Sequence, residues 1–287
     1  MGIFSGLEKL GLKKLDDLEV YESETSSVRA DEKKETAQKA SVQESDFLFD
    51  KTYTCPVCDA TFTSRTVKVG KVKTISQDSD LRPRYAYMDA LKYDAVVCPR
   101  CGFAAIARYF KGTSPSQNKW IKEQISANFR GFQKPGEVYT YDDAITMHKL
   151  ALMSTIVKRG KNSERAFCCL KLAWLYRGKR EECSDEKLRT ELKAEEMELL
   201  EKAFEGFSTA VSKENFPMCG MDELTLDYLV ADLARQLGKY DIAQRWIGSV
   251  ILSRNANERI KERARDLREQ IMHDQEQALA ENAGEKN

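Results

Sequence analysis

Histidine is nearly absent from this sequence: its 287 residues include only His148 and His273. Catalytic zinc centres usually take histidine ligands and keep one coordination position open, so this shortage argues against a zinc-dependent enzyme. The sequence also contains no phosphate-binding loop, no dinucleotide-binding fingerprint, no nucleophile with a partner base and no paired carboxylates. We therefore expect a protein that is not an enzyme.

Long apolar runs are absent as well. No stretch approaches the roughly 18 apolar residues of a membrane-spanning helix, and residues 1–7 lack the apolar run and cleavage site of a secretory signal. Gly6 stands where a myristoylation signal needs Ser or Thr. The eight cysteines fit a reducing compartment better than a disulfide framework. We expect a cytoplasmic protein.

Net charge is missing too, because 46 Lys and Arg balance 46 Asp and Glu. A neutral chain argues against generic nucleic-acid binding. The charge is nevertheless unevenly distributed along the sequence. Residues 51–111 contain eleven basic and five acidic side chains, whereas the first fifty residues contain seven basic and twelve acidic ones.

The positive segment keeps nucleic-acid binding open as an alternative. Its basic side chains would face phosphates while three tyrosines stack on bases. A solvated surface is the simpler interpretation, and the acidic segment that precedes it would mask the positive charge. The residues concerned are Arg65, Lys68, Lys71, Lys73, Arg82, Arg84, Lys92, Arg100 and Arg108, with Tyr85, Tyr87 and Tyr93.

What the sequence does contain is two short cysteine pairs, Cys55-Pro-Val-Cys58 and Cys98-Pro-Arg-Cys101. Each pair places two thiols on one tight turn, and two facing turns supply the four thiolates of a closed tetrahedral zinc site. We predict one structural Zn²⁺ bound by Cys55, Cys58, Cys98 and Cys101. Iron in the same site, and four unligated or redox-active thiols, stay open as alternatives.

The residues around the pairs suit such turns. Pro56 and Pro99 fix the backbone angle ahead of the second thiol of each pair. Gly102 follows the second turn, where a left-handed backbone leaves N–H groups free to point at sulfur. Asp59 follows the first turn and is one of the few other residue types that visit this region. A module of about sixty residues buries only a marginal core, so we expect the metal to dominate its stability.

Hydrophobic patterning predicts an α+β fold. Between residues 46 and 111, short apolar runs predict a small four-cysteine zinc-ribbon-like β module with each cysteine pair at the tip of a hairpin. Its insertion, residues 76–93, carries no clear pattern. Residues 112–280 predict an all-α, tetratricopeptide-like helical-repeat domain. The remaining segments are an amphipathic helix over 1–20, a disordered acidic linker over 21–45 and a disordered tail over 281–287.

Capping signals place the first helices at Ser114-Pro-Ser-Gln117 and Thr140-Tyr-Asp-Asp143. Gly178 and Gly238 are predicted to end helices. Alanine and aromatic residues recur with the spacing of tetratricopeptide repeats, although roughly twenty extra residues separate Gly178 from Ala203. These extra residues would lengthen a helix or form an extended loop. An unrelated helical bundle with the same packing residues stays open as an alternative.

Other chemically active residues have a simpler packing interpretation. Free cysteine usually behaves as a small buried hydrophobe, which we predict for Cys168 and Cys169 in an apolar helical stretch. Cys183 is flanked by charges that cancel, so nothing lowers the pKa of its thiol. His148 is predicted to pack rather than to catalyse. Three tryptophans fall on apolar helical faces and are predicted core residues: Trp120, Trp174 and Trp246.

The leading segment is the least determined part of the chain. Residues 3–18 are amphipathic, so contact with a membrane surface stays open, while docking on the protein's own body is the simpler interpretation. The two cysteine pairs, the Gly-Phe-Ala-Ala after Cys101, the Arg-Pro-Arg-Tyr that starts at Arg82 and the helical remainder together resemble an uncharacterised bacterial family, domain of unknown function 2225. The resemblance covers roughly residues 45–275.

This resemblance implies a cytosolic bacterial protein with a zinc-ribbon-like head, a tetratricopeptide-like body, the four cysteines as ligands and no catalytic residue. We therefore expect a non-enzymatic, metal-binding interaction or scaffold protein whose stacked helices present a groove to a protein partner. A nucleic-acid-associated regulator that uses the basic surface of residues 65–108 is the alternative. A thiol-based redox or metal sensor is a third hypothesis.

Overall fold

The computed structural model describes Gly11, residues 43–133 and residues 135–284. The leading helix predicted over 1–20, apart from Gly11, and most of the linker predicted over 21–45 therefore lie outside the described residues. The strands are β1 (Leu48–Thr54), β2 (Thr61–Val67), β3 (Thr74–Gln77), β4 (Pro83–Tyr85), β5 (Ala95–Val97) and β6 (Ala104–Ile106). The α-helices are α1 (Pro115–Ile121), α2 (Tyr141–Val157), α3 (Asn162–Glu182), α4 (Glu186–Lys213), α5 (Glu223–Gln236), α6 (Tyr240–Leu252) and α7 (Glu258–Gly284). Strands precede helices, so the predicted α+β fold class is confirmed.

Three antiparallel two-stranded sheets form the first part of the chain. β1 pairs with β2 along its full length, with Leu48 opposite Val67, and β5 pairs with β6. The cysteine pairs lie in the turns of these two hairpins, as predicted. The insertion forms a third hairpin, β3–β4, with a register shift between Thr74 and Ser76, followed by a 3-10 helix, Ala90–Tyr93.

Aromatic rings join the first cysteine hairpin to the second. Tyr53 and Phe62 stack across β1 and β2 with their centroids 6.1 Å apart, and both meet Phe110 edge-on at 5.4 and 5.9 Å. Phe110 in turn lies 5.2 Å from Phe103, which precedes β6. Such ring pairs contribute about 0.5–1.5 kcal/mol each beyond their burial. The cluster therefore helps to hold the two cysteine hairpins in one relative position.

The helices begin where the capping residues indicate. Ser114 and Gln117 form a capping box at the start of α1, and Thr140 and Asp143 form another at the start of α2. In each box the cap hydroxyl accepts a hydrogen bond from the N–H three residues later, and that later side chain accepts one from the cap N–H. α1 ends at Ile121, and the chain continues from it as a π-helical turn, Lys122–Ser126.

Each helix from α2 onward packs against the next one along the chain, and α7 also contacts α5. Contact between neighbouring helix pairs is what a stacked helical repeat requires. α4 has 28 residues, so the extra residues predicted between Gly178 and Ala203 lengthen a helix rather than form a loop. α7 reaches Gly284, inside the segment predicted to be a tail. Within the described residues, every helix is too short or too polar to cross a membrane.

The hydrophobic core is continuous between the head, residues 46–111, and the helical body, residues 112–284. α2 lies between the β5–β6 hairpin and α3, and most of its residues are buried. The N–H of Ala104 in β6 donates to Ser154 Oγ on α2 at 3.1 Å. The switch from strands to helices near residue 111 therefore does not divide the core, and the head and the helical body pack against each other.

Gly178 lies inside α3 and not at its end, because α3 continues to Glu182. A Cβ atom at Gly178 would lie 2.5 Å from the Oη atom of Tyr141, at the start of α2. The prediction that Gly178 ends a helix is therefore wrong. This glycine instead makes room for an aromatic ring between α2 and α3, whereas Gly238 does follow α5 with a φ of 69°, as predicted.

We expect Gly178→Ala to lower the free energy of unfolding by about 1–3 kcal/mol, because the added methyl group overlaps the Tyr141 ring. Urea unfolding followed by circular dichroism measures the change. The control is Gly248→Ala in α6, where nothing lies within 4 Å of the added Cβ. There alanine is expected to stabilise the helix by up to about 1 kcal/mol. Equal effects of the two substitutions would contradict the packing role of Gly178.

Candidate metal centre

The two cysteine turns have the same backbone geometry. In the first turn the N–H of Asp59 donates to the carbonyl of Cys55 at 3.0 Å, and in the second the N–H of Gly102 donates to the carbonyl of Cys98 at 3.0 Å. Asp59 has a φ of 58° and Gly102 a φ of 77°. Both residues thus take the left-handed backbone that the sequence predicts, and both turns close in the same way.

The two positions differ in what surrounds them. A Cβ atom at Gly102 would lie 2.6 Å from the ring of Phe129, so the close approach of this ring requires glycine. Asp59 is exposed, and its side chain extends into solvent. The first turn is fastened to the helical body, because Asn118 on α1 donates from Nδ2 to the carbonyl of Pro56 at 2.8 Å.

The four predicted ligands come together. The Sγ atoms of Cys55 and Cys101 lie 3.6 Å apart, as do those of Cys58 and Cys98, and all four sulfur atoms lie within 4.8 Å of one another. A zinc ion with tetrahedral Zn–S bonds of about 2.3 Å separates its sulfurs by about 3.8 Å, whereas a disulfide bond is about 2.05 Å long. All eight cysteines are free thiols. The distances fit one metal ion and not two disulfides.

The surroundings of the cluster favour negative charge on one sulfur and oppose it on others. Cys55, Cys98 and Cys101 are buried, and the N–H of Val57 donates to Cys55 Sγ at 3.4 Å. Hydrogen bonds from Cys101 and Cys55 lower the pKa of Cys98, and the backbone N–H of Arg100 adds to this effect. The contacts of Cys101 with Cys55 and Cys98 raise the pKa of Cys101. Four crowded thiols cannot all ionise without a cation between them, and a divalent metal ion bound by the four sulfurs would supply that cation.

Neither histidine belongs to the cluster. His148 is 1 % exposed, its Nδ1 lies 2.7 Å from the carbonyl of Ala144 within α2, and burial lowers its pKa to about 4. His273 lies on α7, with Nδ1 3.6 Å from a carboxylate oxygen of Asp274. The donor set of the cluster is therefore sulfur alone, which suits zinc or iron. His148 packs in the core, as predicted.

The other residues singled out in the sequence are mostly packed. Cys168 and Cys169 are buried in α3, as predicted, and burial raises the pKa of Cys168 to about 12 and the pKa of Cys169 as well. Trp174 is buried. Trp120 and Trp246 are only half-buried, because each lies where its helix meets the surface.

Three of the nine basic side chains predicted to face phosphates form close ion pairs within the protein. Arg82 is 2 % exposed and pairs with Glu181 on α3 at 3.3 Å. Arg84 pairs with the same carboxylate at 2.5 Å, and Lys92 pairs with Glu44 at 2.8 Å. These ion pairs neutralise part of the positive charge of the head within the fold. The members of the predicted set that stay exposed are Lys71, Lys73, Tyr87, Arg100 and Arg108.

The β3–β4 hairpin, for which the sequence showed no pattern, inserts its tip into the helical body. Asp80 at this tip is fully buried. Its carboxylate accepts hydrogen bonds from Arg177 Nη2 at 2.7 Å and from Trp174 Nε1 at 3.0 Å, both on α3. Arg177 also pairs with Glu196 on α4 at 2.7 Å. Burial alone would raise the pKa of Asp80, but the charge and hydrogen bonds of Arg177 outweigh burial and lower it.

The same hairpin reaches two further helices. Arg235 on α5 donates from Nη2 to Ser79 Oγ at 3.2 Å, and Arg263 on α7 donates from Nη1 to Gln77 Oε1 at 3.0 Å. Alternate helices α3, α5 and α7 thus all contact the hairpin. The face that these three helices present is therefore covered by the protein's own chain. The sequence signal for this contact is the charge of Arg177 directly after the apolar run Leu172–Tyr176.

Comparison with known proteins places the chain in a family. The family model described as an uncharacterized protein conserved in bacteria, DUF2225, matches residues 48–271. This match spans more than half of the 287 residues, so the chain belongs to that family, as the resemblance indicated. It includes both cysteine hairpins and the β3–β4 hairpin. No curated protein matches the chain, and no solved structure matches it.

We expect the purified protein to contain one metal ion per chain and Cys101→Ser to lose it, because three sulfurs no longer close the site. The same substitution is expected to lower the free energy of unfolding by more than about 5 kcal/mol, since structural zinc contributes about 10–16 kcal/mol in small modules. Elemental analysis and thermal unfolding measure both effects. Cys183→Ser, outside the cluster, is the control and should keep the metal. Full metal content in Cys101→Ser would contradict the site.

We expect Asp80→Asn to lower the free energy of unfolding at pH 7 by about 3–5 kcal/mol, because Arg177 is left buried without its charge partner. A carboxyl whose folded pKa is lowered contributes stability above its unfolded pKa, about 3.9, and loses it as the pH falls through the folded value. The difference between wild type and variant in urea unfolding should therefore shrink below about pH 4.

The matched control is Asp142→Asn. It removes a surface ion pair with Lys179, which lies on α3 like Arg177. The two side chains are 2.6 Å apart, and the Asp142 side chain is 73 % exposed. Its effect is expected to stay within about 1 kcal/mol at pH 7. A loss as large as that of Asp80→Asn would show that charge removal, and not the burial of the pair, determines the result.

Proposed function

We propose that this protein is a non-enzymatic cytoplasmic scaffold, in which one structural zinc ion holds the head and a free face of the helical body contacts a protein partner. The observation that carries this proposal is the cluster of four sulfur atoms within 4.8 Å of one another. A coordination shell filled by four thiolates leaves no position for water or substrate, which is typical of structural zinc sites.

The placement of the titratable residues supports a non-enzymatic role. Groups with shifted pKa values mark active sites when they line a cleft. Here His148 on α2 is buried in the core, and Asp80 is paired with Arg177. Asp94, whose pKa is lowered against the effect of burial by Lys171, is paired with that lysine. Burial accounts for the pKa shift of His148, and ion partners account for the shifts of Asp80 and Asp94, so these three groups do not mark an active site.

The arrangement of the helices supports a partner surface away from the β3–β4 hairpin. Stacked helix pairs commonly bind peptides in their grooves, but the face formed by α3, α5 and α7 is already covered. Large apolar side chains remain exposed on the last two helices, among them Leu252 at 83 % and Leu279 at 65 %. Exposed apolar side chains of this size are typical of interaction surfaces when they cluster.

Nucleic-acid binding has less support. Arg82, Arg84 and Lys92 form ion pairs with carboxylates, so they have no free charge to offer to phosphates. Of the three tyrosines considered for base stacking, Tyr93 is buried and Tyr87 is 67 % exposed.

Capture with an affinity-tagged full-length chain in the bacterium that encodes it tests the proposal. We expect a protein recovered in stoichiometric amount at mild salt and unaffected by nuclease, together with one zinc per chain. The control is the same tag on Cys101→Ser, whose head has lost its metal ligand. Recovery of no protein would count against the scaffold role, and recovery that nuclease abolishes would favour the nucleic-acid alternative.

A further inference from the structure

A groove between α4, α5 and α6 lies apart from the residues that meet the β3–β4 hairpin. Its volume is about 480 Å³, within the range of small-ligand and side-chain pockets. The walls combine apolar with polar side chains, and two carboxylates of α5 stand one helical turn apart on the lining. The lining includes Val211, Glu223, Asp227, Ile242, Arg245 and Trp246. We call this the α4–α6 groove.

Asp227 is the unusual residue of this groove. It is 8 % exposed, and one carboxylate oxygen accepts a hydrogen bond from Ser249 Oγ at 3.4 Å. The other oxygen, Oδ1, is buried without a hydrogen-bond partner within the described residues. Burial and the nearby carboxylate of Glu223 raise the pKa of Asp227 to about 6. A buried polar atom without a partner costs stability, so it calls for an explanation.

The other buried acidic residues of the described chain each pair with an arginine. Asp80 pairs with Arg177 at 2.7 Å, and Glu196 pairs with the same guanidinium at 2.7 Å. Asp232 pairs with Arg235 at 2.9 Å. Among the buried acidic residues of the described chain, Asp227 is the one with no ion pair to Lys or Arg. Its position in a groove, rather than inside the core, allows a cation from outside to supply that pair.

The remaining lining of the groove suits an alkyl chain with a positive end. Trp246 is half-buried on α6, and the face of an indole ring attracts ammonium and guanidinium groups by about 0.5–2 kcal/mol. Val211 and Ile242 offer contact to methylene groups. Arg245, the cation already in the lining, donates from Nε to the carbonyl of Asp241 within its own helix at 3.3 Å.

We propose that the α4–α6 groove binds a lysine or arginine side chain of a protein partner, with Asp227 as its ion-pair acceptor and Trp246 as its aromatic wall. An aliphatic residue beside that basic residue packs on Val211 and Ile242. This inference rests on the proposed scaffold function and specifies the chemistry of the partner segment: a short basic and aliphatic peptide.

Panning a phage-displayed random dodecapeptide library on the full-length protein tests this proposal. We expect enrichment of peptides with Lys or Arg next to an aliphatic residue. Fluorescence anisotropy of a synthetic selected peptide should show binding at least about thirtyfold weaker to Asp227→Asn, since loss of one partner of a buried charge pair costs about 2 kcal/mol or more. No enrichment, enrichment of acidic peptides, or equal binding to the variant would overturn the proposal.

Matched variants separate the groove from general charge and from folding. Asn is nearly isosteric with Asp, and Asp227→Asn removes a buried charge, so its unfolding temperature should stay unchanged or rise. Glu276→Gln removes one carboxylate from an exposed position on α7 and should bind the peptide like wild type. Trp246→Phe should weaken binding less than Trp246→Ala. If Glu276→Gln weakens binding as much as Asp227→Asn, the site is refuted.

Two further comparisons identify the occupant. Partner capture repeated with Asp227→Asn distinguishes this inference from the scaffold function. Equal capture by wild type and variant overturns the proposed role of the groove and leaves the scaffold role intact. No capture by wild type counts against the scaffold role itself. A synthetic peptide of residues 3–18, which contains three lysines and several leucines, tests the chain's own leading segment. Tighter, Asp227-dependent binding of that peptide would replace the partner as occupant.

Discussion

Four sulfur atoms from two hairpin tips converge in the first part of the chain. The Sγ atoms of Cys58 and Cys98 lie 3.6 Å apart although the residues are 40 positions apart in sequence. The convergence depends on left-handed backbone at Asp59 and Gly102, which closes each turn behind its second thiol. A module of this size buries only a marginal core of its own. The cluster and the continuous core beneath it supply what the head lacks.

The segment enclosed between the two cysteine turns carries the contact between head and helical body. Because both of its ends are fixed, its chain entropy is already reduced before the β3–β4 tip meets the helices. Asp80 and Arg177 then pair where neither meets water freely. A charge buried in this way is costly without its partner, so the pair permits one placement of the hairpin on α3 and opposes others. The cysteine cluster and this ion pair thus constrain the hairpin at different places.

The distribution of charge follows from the same contacts. The basic excess of residues 51–111 would suggest an anion-binding surface on an isolated module. In the folded chain Glu181 of α3 accepts from both Arg82 and Arg84, so the helical body neutralises part of this charge. Buried acids elsewhere are paired in the same manner, and Asp227 departs from this rule at a groove that faces outward. The departure costs the folded state stability, which a cationic ligand would restore.

Local patterns determined a large part of the structure from sequence alone. The capping boxes at Ser114 and Thr140, the cysteine turns and the strands beside them depend on hydrogen bonds or side-chain alternation within a few residues, so the residue types themselves specify them. Only the tertiary structure decided that Gly178 makes room for the Tyr141 ring and that Arg82 points inward to Glu181. It also decided that Asp80 is buried against Arg177 and that Asp227 has no ion-pair partner among the described residues. Asp80 and Arg177 are 97 positions apart. A contact over that separation depends on how whole elements pack, and no local pattern of residues records which distant partner, if any, a buried side chain will meet.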